Sequence, residues 1–406
     1  MGFLDFFRAN ARWLAVGFLL TFFSSFGQTF FIALSGADIR AAFALSNGGF
    51  GALYMAATLT SAATLPFFGR IVDTMSPRRV LAIVLPALAA ACVLMAIAPG
   101  VAVLFITLVA LRLFGQGMMT HVAFTLTGRW FVANRGRAVS VTSVGNQAGE
   151  ALLPVSFVVV SGLIGWRESW IVAAAILIVV AFPVLWALLK VQRTPQSADV
   201  AAKSIEGRQW RRAEVMRDPL FWIVLFGVLA PPFIGTSVFF HQTWIAEIRG
   251  WPRGIFAAAF PVMSAMTFAF TFVSGTLIDR FSAVRLLPFF LLPLALACFI
   301  LAGFSHPVTA FAAMAMFGLT YGFSSTLFGA LWPEVYGTAH LGAVRAVSMS
   351  AMVFATALGP GVTGVLIDLG VGFPSQLLAM GVYCLFAVPV LVVVSRRFDD
   401  RRSGQR

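Results

Sequence analysis

Charge is scarce in this sequence: Asp, Glu, Lys and Arg make up 11% of its 406 residues, against about a quarter in an ordinary water-soluble domain. Hydrophobic residues make up 60%, with 42 phenylalanines among them. So much apolar surface cannot hide inside a water-soluble globule, because a large share of any surface must face water. Lipid is therefore the solvent for most of the chain. Cysteine is almost missing too. Cys92, Cys298 and Cys384 sit in apolar runs without metal-ligand spacing, which excludes a disulfide framework or a cysteine metal site and leaves them as buried filler. No glycine loop suited to cradling phosphate lies in a polar segment, and there is no room for a nucleotide-binding domain. Neither a cofactor nor a metal is expected.

The gaps between charges show what is present instead. No Asp, Glu, Lys or Arg stands between Arg79 and Arg112, nor between Arg285 and Glu334. Each gap is far longer than the ~20 apolar residues that cross a bilayer core. Barrel strands would be short and strictly alternating, which these runs are not. The spacing predicts helices near 13–36, 48–70, 80–99, 101–124, 137–161, 168–189, 219–243, 254–277, 285–304, 307–332, 345–367 and 373–394. The first begins near Trp13 with no small-residue cleavage site behind a short apolar core, so it reads as a retained span. Phe3, Leu4, Phe6 and Phe7 before it suit an interfacial segment.

The net charge of +13 would suggest nucleic acid in a soluble protein. Here position explains it. With the N-terminus inside, only Arg40, Arg167, Arg249 and Arg253 fall in outer loops, Arg112 is intramembrane, and the remaining Lys and Arg lie on the inner side. That is the positive-inside bias of an inner-membrane, multi-pass protein with both termini in the cytoplasm.

Residues 191–218 interrupt the alternation of spans and turns. They are polar and mixed in charge, and read as a cytoplasmic linker with a short surface helix around Gln209–Met216. On that reading 1–190 and 219–406 are two six-helix bundles, the second with a short tail. The halves also repeat. Gly69, Asp73 and Arg79 recur 206 positions on as Gly275, Asp279 and Arg285, and Arg137-Ala-Val-Ser140 recurs 208 positions on as Arg345-Ala-Val-Ser348. A duplicated helical bundle is a transporter architecture with its substrate site near the midplane.

At this point a family resemblance becomes specific. Gly69-x-x-x-Asp73-x-x-x-x-Arg78-Arg79 resembles the loop signature between helices 2 and 3 of the major facilitator superfamily. Arg112 with Gly115 and Gly117 is similar to the helix 4 motif, its first glycine one place early. Gly145-x-x-x-Gly149 followed by Pro154 is similar to the helix 5 motif. Arg129-Trp-Phe131, Arg135-Gly-Arg137 and Gly165-Trp-Arg167 resemble the monocarboxylate and oxalate/formate porter branch. The resemblance implies an all-α membrane protein of about twelve helices in two pseudo-symmetric bundles, working as a secondary transporter and not as an enzyme. It also implies a cytoplasmic gate at Gly69, Asp73, Arg78, Arg79, Gly275, Asp279, Arg280 and Arg285. Physically, a carboxylate such as Asp73 or Asp279 can accept hydrogen bonds at a neighbouring helix N-terminus. Glu334 and Asp368 fall at span ends and read as interfacial.

An ionisable group near the bilayer centre costs about 2.5–3.5 kcal/mol on insertion scales, so each needs a reason. Arg112, about ten residues into its span, and Glu150, about twelve into the next, both fall near the midplane at ~1.5 Å per residue. They could pair. Each heads a polar stripe: Arg112, Gln116 and Thr120 in one span, Ser143 with Asn146 or Gln147 and Glu150 in the next. Lipid cannot satisfy such stripes, so they point into protein or a wet cavity. At the 208 offset Glu150 corresponds to Leu358, so the scaffold does not require an acid there. One reading makes Glu150 a carboxyl that titrates during the cycle. The other makes the pair a fixed packing device. Gln28 in span 1, His241 after Pro231-Pro232 in span 7, and Tyr321 with Ser324 in span 10 are further candidates for the polar path.

The expected function is therefore proton-coupled transport of a small organic anion or monocarboxylate by alternating access, the protein acting as a monomer with its solute, protons and lipid as its partners. Carboxylate porters of this kind are expected to carry a cation on span 8 or 11, and Ile255–Thr276 and Ala346–Ile367 carry none. Two alternatives stand beside it. One is a proton-coupled efflux pump for amphipathic drugs or metabolites. The other is a non-transporting membrane assembly or sensor protein.

Overall fold

The structure is a computed structural model that describes residues 3–69, 71–131, 135–191, 193, 210–337 and 341–403. Among them there is no strand. Eleven helices are long and apolar enough to cross a membrane, or twelve if one bent pair counts as a span. In chain order they are α1 (Phe7–Gly27 with Thr29–Phe43), α2 (Asn47–Gly69), α3 (Pro77–Ile97), α4 (Val101–Trp130), α5 (Arg135–Ile164) and α6 (Trp166–Leu188). Then follow α7 (Pro219–Phe240), α8 (Ile255–Phe281), α9 (Ala283–Gly303), α10 (Val308–Tyr336), α11 (Leu341–Asp368) and α12 (Phe373–Ser403). This is a multi-pass membrane protein. A short helix at Arg212–Arg217 stands where the sequence suggests a surface helix from Gln209; most of the linker, 194–209, lies outside the described residues.

Contacts divide the chain into two units. The first is Met1–Ser46 with Ala52–Ala202, and the second is Asn47–Gly51 with Lys203–Arg406. In the first unit α1 lies directly on α5. A Cβ on Gly145 would sit 2.1 Å from the Phe18 carbonyl oxygen, and one on Gly149 2.3 Å from Ser25 Oγ. Only a bare Cα fits at such distances. Packing of this small-residue type is what holds helices together in lipid, where no hydrophobic drive remains between them. Thr21 Oγ1 donates to the Thr142 carbonyl at 2.6 Å, and Thr142 Oγ1 meets Thr127 Oγ1 at 3.0 Å, tying α1, α5 and α4 together.

The continuous first span expected from hydropathy is broken. Its two parts are bent by 43°, with Gln28 extended at φ −83°, ψ 153° between them. Sterics fix the place. A Cβ on Gly27 would come within 2.1 Å of the Leu111 carbonyl oxygen, so α1 can pass α4 only through glycine. A second departure is the π-helical stretch Leu111–Met119 inside α4, where the ladder runs i→i+5. In the second unit α7 is interrupted at Leu229, between Pro219–Val228 and Ala230–Phe240. That follows from Pro231 and Pro232, which lack the N–H donors a continuous helix needs.

The 208-residue repeat extends to hydrogen bonds. After α6, Arg193 Nη1 donates to Asn10 Oδ1 at 2.5 Å and lies over the rings of Trp13 and Phe131. At the corresponding place in the second unit, Arg401 donates to both carboxylate oxygens of Asp218, at 2.7 and 3.0 Å, and lies over Trp210 and Phe398. Each half thus fastens its sixth span to its first through an arginine. The acceptor is an amide in one case and a carboxylate in the other.

Candidate functional site

The site grows out of the break in α1. Arg112, in the π-helical part of α4, is 3% exposed. Its Nη1 donates to Thr29 Oγ1 at 3.2 Å and to the Gly27 carbonyl at 3.4 Å. Thr29 in turn accepts from the Tyr54 hydroxyl at 2.8 Å, and the guanidinium carbon stands 5.4 Å from the centre of the Tyr54 ring. Three elements therefore converge on one buried cation: the broken turn of α1, the first half of α2, and α4. The contacts are all neutral. Its Nε is enclosed and finds no acceptor among the described residues.

Glu150 is half-buried on α5 and, among the described residues, makes no hydrogen bond or ion pair. The pairing of Arg112 with Glu150 that their depth allows is not formed. Depth along a helix says nothing of azimuth, and the wider π turn alters the rotation that an α-helical stripe assumes. Gln116, Asn146 and Gln28 are half-buried as well. Gln147 Oε1, Thr120 Oγ1 and Ser25 Oγ are enclosed without a partner. Buried polar atoms are nearly always satisfied, so this set on α1, α4 and α5, with Arg112 Nε, marks a region with unused hydrogen-bonding capacity.

In the second unit His241 is 2% exposed, at the junction after the second piece of α7, with Nε2 3.4 Å from the Pro360 carbonyl and the rings of Phe240 and Phe373 against it. Tyr321 directs its hydroxyl at the Pro231 carbonyl, at 3.5 Å. Only a glycine at 235 leaves room for that hydroxyl. Ser324 Oγ is enclosed and unpartnered, whereas Ser325 on the next position is exposed.

The loop motifs divide. Gly69 is buried beside His121, the side chain of Asp73 lies outside the described residues, and Arg129 donates to the Val72 carbonyl at 3.1 Å. Arg78 stacks over Trp186 at 4.1 Å while Arg79 is exposed. In the second copy Gly275 is half-buried, and Asp279 is exposed with no hydrogen bond or ion pair among the described residues. Arg280 lies over Phe281, and Arg285 stands 3.6 Å from Asp399. At the start of α9, Glu334 Oε2 accepts from the Ala283 N–H at 3.0 Å. The sequence reading passed over Thr29 and Tyr54, and took Glu334 as interfacial only. Tyr54 offered one signal, being among only four tyrosines. Thr29 offered none, since its position depends on the break.

A family model described as Major Facilitator Superfamily matches residues 17–360 and 270–406. The probable sulfoacetate transporter SauU of Cupriavidus necator is 24% identical over 283 residues, 66% of this chain and 64% of that protein. The chain thus spans just under two thirds of that relative's length. Among solved structures, a bacterial homolog of the human lysosomal transporter Spinster, inward-facing and unoccupied, superposes with a TM-score of 0.75 at 17% identity, covering 96% of this chain and 98% of that one. The D-xylose–proton symporter superposes with a TM-score of 0.67 at 15% identity over 93% and 96% of the two chains. At these identities the structures share the fold.

Proposed function

Because this chain belongs to the major facilitator superfamily of membrane transporters, we propose that it is a secondary active transporter for a small organic anion, coupled to protons and working by alternating access in the inner membrane with both termini in the cytoplasm. The observation that carries the reading is Arg112. It is a buried cation held only by neutral acceptors, with an unused N–H. A charge left so in an apolar span is expensive and calls for a partner of opposite sign. Among the described residues no carboxylate supplies one, which leaves a carboxylate or sulfonate of the solute as the natural complement. A guanidinium suits either, since its fork of donors matches planar and tetrahedral oxyanions. The relative named for sulfoacetate, an organic anion, supports the same class. Glu150, with no hydrogen bond or ion pair among the described residues, is the carboxyl proposed to carry the proton. Gln116, Asn146, Gln147 and Gln28, with Tyr321, Ser324 and His241 of the second unit, are proposed as the polar groups of the path. The loop residues Gly69, Asp73, Arg78 and Arg79, and Gly275, Asp279, Arg280 and Arg285, are proposed as its cytoplasmic gate.

Ligand-induced thermal shift of the purified protein tests this across acetate, oxalate, sulfoacetate and lipophilic cations. An anion at about a hundred times its dissociation constant should stabilise the native state by about 2.7 kcal/mol, and Arg112→Ala should abolish that shift. Stabilisation by lipophilic cations alone, lost in Glu150→Gln, would overturn the anion assignment in favour of an efflux pump.

A further inference from the structure

The two arginine fastenings differ in charge. Asn10 and Arg193 stand 208 positions before Asp218 and Arg401. Arg401 meets a carboxylate at 2.7 and 3.0 Å, so its charge is neutralised within the protein. Arg193 meets an amide oxygen and the faces of two rings, the Trp13 centre at 4.8 Å and the Phe131 centre at 4.3 Å. None of these is charged, and among the described residues Arg193 has no ion pair. Burial holds its guanidinium below the ordinary arginine value, as for a cation partly dehydrated without compensation.

This guanidinium can be reached. Arg193 is only half-buried, and a single N–H is spent, on Asn10. The rings clamp its faces and leave its remaining donors for an oxyanion, which a guanidinium fork suits. The indole N–H of Trp13 is enclosed and takes no part. Arg12 crosses from α1 to the end of α6, donating to the carbonyls of Leu188 at 2.6 Å and Ala187 at 2.5 Å, so the two span ends are tied together. Arg8, one turn before Arg12, and Lys190 are exposed and add positive charge. The side of α6 that leads to Arg193 is apolar: Val184 and Val191 are 44% and 47% exposed, and Ala187 between them is exposed too. A cationic head beside an apolar strip matches the two ends of an anionic phospholipid. A small soluble anion would have no use for the strip.

We propose that the junction of α1 and α6 in the first unit is a binding site for one anionic phospholipid, its phosphate on Arg193 and its acyl chains along the exposed side of α6. The lipid phosphate stands where the second unit has a carboxylate of its own. The site belongs to the first unit alone and does not depend on Arg112 or on the transported solute.

The test uses the full chain in phosphatidylcholine nanodiscs with and without phosphatidylglycerol, read by thermal melting and by native mass spectrometry of the lipid retained. One phosphatidylglycerol should be held about tenfold more strongly than phosphatidylcholine, the ratio worth one charge-assisted hydrogen bond. Arg193→Gln should remove that preference, whereas Arg212→Gln, which removes an exposed arginine of the second unit, should leave it. Asn10→Asp supplies the missing carboxylate. It should abolish the preference and raise the melting temperature in pure phosphatidylcholine. If Asn10→Asp does not fold, the two arginine variants decide. Equal retention of the two lipids by the unaltered protein would overturn the proposal. So would an equal loss of preference in Arg193→Gln and Arg212→Gln, which would mean general attraction to a basic surface. Glycerol 3-phosphate that stabilises the protein in pure phosphatidylcholine as well as phosphatidylglycerol does would overturn the lipid assignment in favour of a soluble anion.

Discussion

The side chain that most rewards attention is an arginine whose neighbours are all neutral. Arg112 donates to a backbone carbonyl and a threonine hydroxyl, contacts that fix a planar fork better than they would a point charge. Arg112→Lys keeps the charge and loses the fork. It should weaken anion binding about tenfold, the equivalent of one charge-assisted hydrogen bond, measured by titrating the thermal shift. Glu150→Gln should leave anion binding in place and flatten the pH dependence of uptake into proteoliposomes; uptake that keeps its full pH dependence would remove the proton role. Asp218 gives a separate prediction for stability. Burial is the largest influence on its carboxyl and raises it, but hydrogen bonds from Arg401, the Leu220 N–H and Tyr336 together prevail and hold it below the ordinary aspartate value of 3.8. A depressed native value means that the stabilisation is present above the unfolded value and is lost as pH falls through the lower, folded one. Acid melting below about pH 4 should therefore be steeper in the unaltered protein than in Asp218→Asn.

At the scale of elements, what matters is how closely helices approach. Gly145 has no room for a Cβ against Phe18 of α1. Gly145→Leu should cost about 1–3 kcal/mol or more by forcing α1 from α5, seen as a drop in melting temperature and in the yield of folded protein. The arginine fastenings differ in strength between the halves. Arg401→Met should cost about 2 kcal/mol. This lies below the usual cost of breaking a buried pair because the Arg401 side chain is 38% exposed. Arg193→Met, which removes a bond to the Asn10 amide, should cost less. Differential scanning of the two variants checks the order.

For the molecule as a whole, the division into units carries the consequence. Each unit holds its own close-packed helices, and both keep the same fastening 208 positions apart. Chains 1–202 and 203–406 produced together from separate genes should assemble and restore solute uptake, whereas neither alone should do so. A pair of halves that folds without recovering uptake would show that the linker does more than connect.

How much of this was legible beforehand varies with distance along the chain. Length of charge-free runs, the repeat of Gly69 to Asp73 at Gly275 to Asp279, and the proline pair in α7 are local signals. They determined that the chain is helical and membrane-spanning, and anticipated the interruption of span 7. Lipid enforces this reading, since any span must satisfy its own backbone. Helical rise converts sequence position to height along a span, which is how the expected depth of Arg112 and Glu150 was reached. Their partners were not legible. Whether Arg112 met Glu150 or Thr29 depended on a break that hydropathy cannot register, at a glycine whose significance lies in the Leu111 carbonyl 84 residues away. A cavity beside Gln376 depended likewise on α7 meeting α11 and α12, which lie far along the chain from it. Sequence by itself determined which segments are helical and apolar enough to cross a membrane. The tertiary structure alone decided which groups face each other, because azimuth and helix contact are set by steric fit between distant segments.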